Sequence, residues 1–365
     1  MNEHHELREM FVETASRMMK DLCTKELLEA TERGEWAQDL WKTMEEAGMT
    51  LVPVPEEAGG VGGSFGDALA ILRVAGRFAA PVPLAETLLA NWLLAMVRLP
   101  VVTDAATVAP VIPEEKVRMQ KTEGGWLLSG TARHVPWARQ AKSIVLIGDS
   151  EQGEMVAVVD PKACSIRPGQ DLANEARDEV CFDGVLVGED QVAQAAAGVS
   201  KLEVLYRGAL MRAAQMAGAL ERVLELSVNY SKERIQFGRP IARFQAIQQQ
   251  LAILAGEVTA AGMAVESAMA AVERADMQYD ANEAARLATM MAKIRVGEAV
   301  GIATAIAHQV HGAIGFTDEH VLHYSTRRLW SWRDEFGTES EWAERLGQHV
   351  LERGAEQLWP LVTSL

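Results

Sequence analysis

The 365-residue chain is poor in cysteine, in basic charge and in long apolar runs. Its three cysteines, Cys23, Cys164 and Cys181, are odd in number and widely spaced, which excludes a disulfide framework and forms no metal pattern; idle thiols in a reducing compartment are expected. The longest apolar stretch, Leu88 to Val97, is interrupted by Asn91 and closed by Arg98, short of the roughly 18 uncharged residues that a bilayer span needs. A membrane-integral protein is therefore not expected. The first twenty residues carry Glu3, Glu6, Glu9 and Glu13 where a signal peptide has a basic start and an apolar core, so a cytoplasmic location is expected. Lys and Arg number 35 against 51 acidic residues, a net charge of −16 that repels nucleic acid and leaves any anionic ligand to a few local donors.

What is present is a globular composition, 48% hydrophobic and 24% charged, with length for two or three domains. Residues 1–105 read as helices over Glu6 to Cys23, Lys25 to Glu46 and Asp67 to Phe78, rich in Leu, Ala, Met and Glu. Gly59, Gly60, Gly62, Gly63 and Gly66 crowd the segment before the third. Without a firm preceding strand they read as an interhelical loop before a phosphate loop. Ser64 followed by Asp67 predicts a reciprocal cap at the next helix start.

Residues 106–196 change to short β-rich runs at Val108 to Ile112, Lys116 to Lys121, Gly125 to Val135, Ser143 to Ile147, Met155 to Val159 and Val180 to Val187. Their hairpin-length gaps predict an antiparallel sandwich or barrel, not βαβ units. Residues 197–365 return to helix. One stripe runs through Leu210, Ala214, Ala217, Leu220, Leu224 and Ser227, another through Phe244, Ile247, Leu251, Leu254, Val258, Ala261 and Val265, a period suited to a four-helix bundle. The alanine-rich stretch 260–292 is expected to be partly buried against another subunit. The fold class is thus multidomain α+β: a helical N-terminal domain, an antiparallel β middle domain and a C-terminal helical bundle.

Chemistry concentrates in two motifs. In Arg234-Ile235-Gln236-Phe237-Gly238-Arg239-Pro240-Ile241, a left-handed helix cap at Gly238 and a helix start at Pro240 explain only the Gly and Pro. Arg234, Gln236 and Phe237 remain as a cationic fork, an amide and a ring, a set suited to a phosphate-bearing ligand with a flat ring. In Gln309-Val310-His311-Gly312-Ala313-Ile314-Gly315-Phe316-Thr317, small residues would let backbone approach a ligand. His308, His311, His320 and His323 form two His-x-x-His pairs able to offer four nitrogens to a metal, but no cysteine joins them and structural histidines are the stronger expectation. Arg327, Arg328, Trp330, Trp332 and Arg333 make an aromatic-basic patch, expected to pack in an interface and to meet Asp334 and Glu335; contact with a CoA phosphate is the lesser alternative.

In this order and about 75 residues apart, the two motifs resemble the acyl-CoA dehydrogenase family. The resemblance covers nearly the whole chain, and Gly125-Trp126-Leu127-Leu128-Ser129-Gly130 is similar to the family's middle-domain hairpin. It implies an FAD-dependent enzyme, typically tetrameric, that oxidises acyl-CoA thioesters of fatty-acid or steroid side-chain type to 2-enoyl-CoA. It also implies cofactor contacts from Arg234, Gln236, Phe237 and Gln309, joined by Ala313 and Thr338. The first four match residues that touch the ADP half of an FAD whose flavin ring sits in the neighbouring subunit.

The departures are equally specific. Most members carry the base, a Glu, 27 residues after the Gln matching Gln309; that position is Phe336, followed by the family's Gly337 and Thr338. Glu335 is one residue off, about 100° away around a helix, and is a weak substitute. The other family position for the base, 26 residues before Arg234, is Gly208. Where relatives line the flavin with Trp-Ile-Thr, this chain has His134-Val135-Pro136, and nothing between Val101 and Glu123 matches the family's Thr-Glu-Pro and Gly-Ser-Asp segments. Contacts to a neighbour's cofactor survive while those to the chain's own flavin and the base are lost. The expectation is a heteromeric dehydrogenase in which a related partner subunit holds ring and base. The alternatives are a homomeric flavin enzyme, including a monooxygenase of the same fold that needs no such base, and a purely structural subunit.

Overall fold

Steps of four between Phe11, Ala15 and Met19 place one apolar stripe along α1 (Asn2–Leu22), and all three side chains are buried. The structure, a computed structural model, describes residues 2–112, 114–196, 198–278 and 283–354, together with Glu356 and Trp359. The chain forms two units, Met1–Ala68 with Pro81–Gly208, and Leu69–Ala80 with Ala209–Leu365.

In the first unit the single helix expected over residues 25–46 is two, α2 (Lys25–Glu32) and α3 (Gln38–Glu46). Gly34 ends α2 at φ +95°, with its N–H on the Thr31 carbonyl and the Glu35 N–H on the Ala30 carbonyl, the paired bonds of a Schellman stop. The glycine-rich segment is a loop with two short 3₁₀ turns, at 49–51 and 56–58. It leads into α4 (Phe65–Arg77), whose cap is reciprocal as expected: the Asp67 N–H donates to Ser64 Oγ at 3.0 Å and the Ser64 N–H to Asp67 Oδ2 at 2.8 Å.

The longest apolar run lies in α5 (Leu84–Met96), a core helix, and its interruption, Asn91, is fully buried. Asn91 Nδ2 donates to the carbonyls of Thr50 (3.1 Å) and Val102 (2.9 Å), and its Oδ1 accepts the Val102 N–H at 2.9 Å. Asn91→Leu keeps the branched shape but leaves the buried Thr50 carbonyl and both half-buried Val102 backbone groups without this partner. It is expected to cost about 3 kcal/mol, read as a lowered midpoint in urea unfolding.

The sheet is built from β1 (Ala106–Ala109), β2 (Arg118–Thr122), β3 (Gly125–Pro136), β4 (Ser143–Ser150), β5 (Gly153–Val159), β6 (Ser165–Arg167), β7 (Arg177–Val187) and β8 (Val192–Gln194). Its order is β6-β7-β3-β2-β4-β5-β8, with β1 also on β4. The sheet is mixed, which corrects the antiparallel expectation: β1 runs parallel to β4, and β2 meets β4 in parallel at Arg118 and Asp149. Parallel neighbours need a long connection, and the chain between Ala109 and Ser143 supplies it by containing the β2–β3 hairpin. Val117, Met119, Trp126, Leu128, Leu146 and Phe182 are among the residues filling the core beneath the sheet.

The second unit contains most of α6 (Lys201–Glu233), then α7 (Gln245–Gln278), α8 (Glu283–His311), α9 (Leu322–Asp334) and α10 (Glu339–Arg353). On α7 the expected stripe is buried at Leu254, Val258, Ala261 and Val265 and half-buried at Phe244, Ile247 and Leu251. Of the alanine-rich stretch, residues 279–282 lie outside the described residues; Ala261, Ala268, Ala271 and Ala275 are buried within the unit and Ala260 is exposed. By length and mean hydropathy alone, Gln245–Asp276 and Glu283–Phe316 would each suffice to cross a bilayer, at 1.3 and 1.2. Here they pack on each other, with Arg295 of α8 paired to Glu257 of α7. Against α6 lies the part of α4 that belongs to this unit, so close that a Cβ on Gly218 would fall 1.8 Å from the Arg73 carbonyl oxygen.

Candidate functional site

After α6 ends, the two-residue strands Ile235–Gln236 and Arg239–Pro240 pair as a hairpin with Gln236 opposite Arg239. Its loop residues Phe237 and Gly238 have φ +51° and +77°, the two left-handed positions of a type I′ turn. Gly238 is thus left-handed as expected, but in a hairpin instead of a helix cap. Pro240 leads into a 3₁₀ turn at 241–243 before α7 begins. Phenylalanine is an uncommon occupant of that backbone region, and its ring is 92% exposed. The ring stands edge-on to Phe244 at 6.1 Å, and the Arg239 guanidinium covers Phe244 from 4.4 Å. Arg234 and Gln236 are exposed, and their side chains have no partner among the described residues.

The second motif forms the end of α8 and a 3₁₀ turn over 312–316. Ile302, Ala305, Gln309, Ala313 and Phe316 follow one another at three- or four-residue steps and are all exposed. Behind this stripe, His308 stacks on Phe316 at 4.1 Å and the buried His311 on Tyr230 at 4.5 Å, with His320 a further 4.5 Å from His311. The Arg234 N–H bonds to the Tyr230 carbonyl, so this stack brings the hairpin's root and the α8 end together. Burial holds His308, His311 and His320 below the usual imidazole range, His320 down to about 4. Among the described residues no group of three or more His, Cys, Asp or Glu side chains is placed to hold a metal. Sequence reasoning missed Tyr230, whose only signal is its place one turn before Arg234.

The base position lies elsewhere on the unit. Phe336 (φ +53°) and Gly337 (φ +91°) turn the chain after α9, and the Trp342 indole N–H donates to the Phe336 carbonyl at 3.0 Å. Phe336 is buried, with the Arg212 guanidinium 5.9 Å from its ring. Arg212, itself buried, donates from Nε to Glu335 Oε2 at 2.7 Å and from Nη1 to Gln215 at 2.6 Å. Glu335 is therefore an ion-pair partner held in place. Lys293 of α8 is fully buried and donates to the carbonyls of Trp332 (3.2 Å) and Arg333 (2.7 Å); burial lowers its pKa to about 8. Thr338 caps α10 in a capping box with Glu341, which occupies its hydroxyl. Arg333 meets an acidic neighbour, Glu339, and its guanidinium covers Trp330. Lys293 precedes Gln309 by about 24 Å of helix, which separates the base loop from the hairpin and its neighbours.

In the first unit, β3 shifts register between Ala132 and Val135, with His134 at φ +54°. Trp137, after Pro136, is also left-handed at φ +56°; it is buried, T-shaped to Trp36 with ring centroids 6.4 Å apart.

Family models for the N-terminal and C-terminal domains of acyl-CoA dehydrogenase match residues 5–99 and 200–339. Acyl-CoA dehydrogenase FadE28 of Mycobacterium tuberculosis is 30% identical over 309 residues, 78% of this chain and 85% of the relative. The chain belongs to the acyl-CoA dehydrogenase family. Acyl-CoA dehydrogenase IpdE2 of Mycolicibacterium smegmatis is 29% identical over 94% of the chain and 99% of its own length. A solved Tcur3481–Tcur3483 steroid ACAD variant is 26% identical, with a TM-score of 0.84 over 96% of this chain and 99% of that one. The ChsE4–ChsE5 complex of M. tuberculosis shares the fold at a TM-score of 0.85 and 22% identity, covering 95% of this chain and 98% of that one.

Helical, sheet and helical segments follow in the family's order, the enzyme class is oxidoreductase, and FAD is the family's cofactor. The residues present fit a nucleotide tail. One guanidinium and two carboxamides, those of Arg234, Gln236 and Gln309, have no side-chain partner among the described residues, and they share the surface with an exposed ring and the small Gly312 and Ala313.

Proposed function

We propose that this chain is the subunit without a catalytic base in a cytoplasmic, heteromeric acyl-CoA dehydrogenase, a tetramer whose related partner holds the flavin ring and the proton-abstracting carboxylate. The carrying observation is the occupied base position: Phe336 stands there, and the adjacent Glu335 is bound to buried Arg212 at 2.7 Å. Dehydrogenation of an acyl-CoA takes the α-proton to a carboxylate, and FAD, when bound, accepts the β-hydrogen with its electron pair. This chain's residues take no proton. Arg234, Gln236 and Gln309 hold the ADP half by hydrogen bonds, charge-assisted from the arginine; Phe237 covers a flat ring, and Ala313 leaves the backbone approachable. Thr338 belongs to the base loop, apart from this set, and its side chain is already used by the α10 cap. A bulky acyl group of the steroid side-chain kind is supported by the likeness to a steroid ACAD.

Flavin spectra of the chain purified alone and with the partner that co-purifies test this reading. Little FAD is expected alone and stoichiometric FAD in the assembly; one FAD on each isolated chain would count against it. In the assembly, Arg234→Ala is expected to weaken FAD by about 20-fold, the loss of one charge-assisted hydrogen bond. A purely structural subunit would leave FAD content unchanged in that variant.

A further inference from the structure

We propose that Tyr230, His311 and His320 are positioning residues that lock the 234–240 hairpin and the 309–316 segment into one nucleotide-gripping face, and that protonation of the histidines opens the lock. The role of that face rests on the function proposed above; the lock itself rests on geometry. Tyr230 stacks on His311 at 23° between planes and meets His320 edge-on at 5.9 Å, while His311 and His320 are tilted by 61°. The hydrogen bonds fix which ring nitrogens carry protons. His311 Nδ1 lies 2.8 Å from the Ala307 carbonyl and so donates, which leaves Nε2 a bare lone pair, buried with no partner among the described residues. His320 Nδ1 accepts the Leu322 N–H at 3.1 Å. Both rings are therefore built to be neutral: a proton on His320 Nδ1 sets a donor against a donor, and one on His311 Nε2 buries a charge without an acceptor.

The surrounding charges reinforce this. From α6 come Tyr230 and Arg222, the latter paired with Glu225 at 3.0 Å; from α8 come His308 and His311. From the start of α9 comes His323, whose Nε2 lies 3.9 Å from the fully exposed Asp318, too well solvated to offset a buried imidazolium. Opened or unfolded histidines take a proton near pH 6.5, whereas the locked ones resist to lower pH. The lock is therefore complete above about pH 6.5 and is lost as pH falls from there toward 4.

Hydrogen exchange on the isolated chain reads the lock without any nucleotide. Peptides covering 234–240 and 309–316 are followed at pH 7.5 and 5.0, with exchange times scaled for the intrinsic pH effect. Both are expected to lose protection together by about 10-fold at pH 5.0 in the wild type. In His320→Asn, which keeps an acceptor for Leu322, and in His320→Phe, which keeps a ring, the acid-dependent loss should be at least halved. Tyr230→Leu should uncouple the two segments already at pH 7.5. In the assembled holoenzyme, gel filtration at pH 5.0 should strip FAD from wild type more than from His320→Asn. Identical pH profiles in wild type and both His320 variants, or independent loss of the two segments, would overturn the lock. FAD bound stoichiometrically by the lone chain would overturn the proposed function but leave the exchange result readable.

Discussion

Gly218→Ala is expected to destabilise the second unit by about 4 kcal/mol and to leave little soluble protein. The added methyl would fall 1.8 Å from the Arg73 carbonyl oxygen and 2.9 Å from the Arg77 nitrogen, both backbone atoms that no rotamer change can move. The helices cannot simply part, because the contact is reciprocal: a Cβ on Gly76 of α4 would lie 1.9 Å from the Gln215 carbonyl oxygen of α6. Separating them would also pull Arg73 from Glu221 and Arg77 from Glu225. Gly256→Ala is the control, since that α7 glycine is exposed with nothing within 4 Å of the added atom, and alanine there should be neutral or stabilising by up to about 1 kcal/mol. Thermal unfolding followed by circular dichroism compares the two. A Gly218→Ala melting temperature within a few degrees of wild type would mean that these backbones are not in contact.

The second large effect is at the base loop. Arg212→Met removes a buried guanidinium from Glu335, whose side chain is 18% exposed, and should cost about 3 kcal/mol at pH 7. Adding Glu335→Leu should recover most of the stability, because the pair is then replaced by apolar groups. The same residue tests the chemistry. Glu335→Gln should leave turnover of the assembled enzyme within about two-fold, whereas a loss of 100-fold or more would identify Glu335 as the base.

Local signals were legible and long-range ones were not. Ser64 and Asp67 announce their cap because both partners lie within one turn, and the β-rich runs show as alternation bounded by turn residues. Gly34 gives no stop signal in the sequence, since one glycine in a helical pattern is often tolerated; only its φ of +95° shows the stop. β6 and β8, three residues each, are too short to display a period. The direction of β1 against β4 depends on the path between them, which alternation does not encode. Gly238 was correctly expected to be left-handed, but a helix cap and a type I′ turn ask the same of a glycine. In the candidate site, Arg234, Gln236 and Phe237 stand out as a contiguous motif. The ion pair that disarms Glu335 joins residues 123 apart, and the Tyr230 partner of His311 is as invisible to spacing, which leaves His-x-x-His resembling a metal pattern.

The interleaving of the two units also bears on biosynthesis. Residues 69–80 leave the ribosome early yet belong with helices made after residue 209. This stretch of the nascent chain must wait for its companions while the sheet is still being made, and a fragment begun at residue 197 would be missing one of its own walls. Expression of the C-terminal helices alone should therefore supply α4 in trans or by circular permutation.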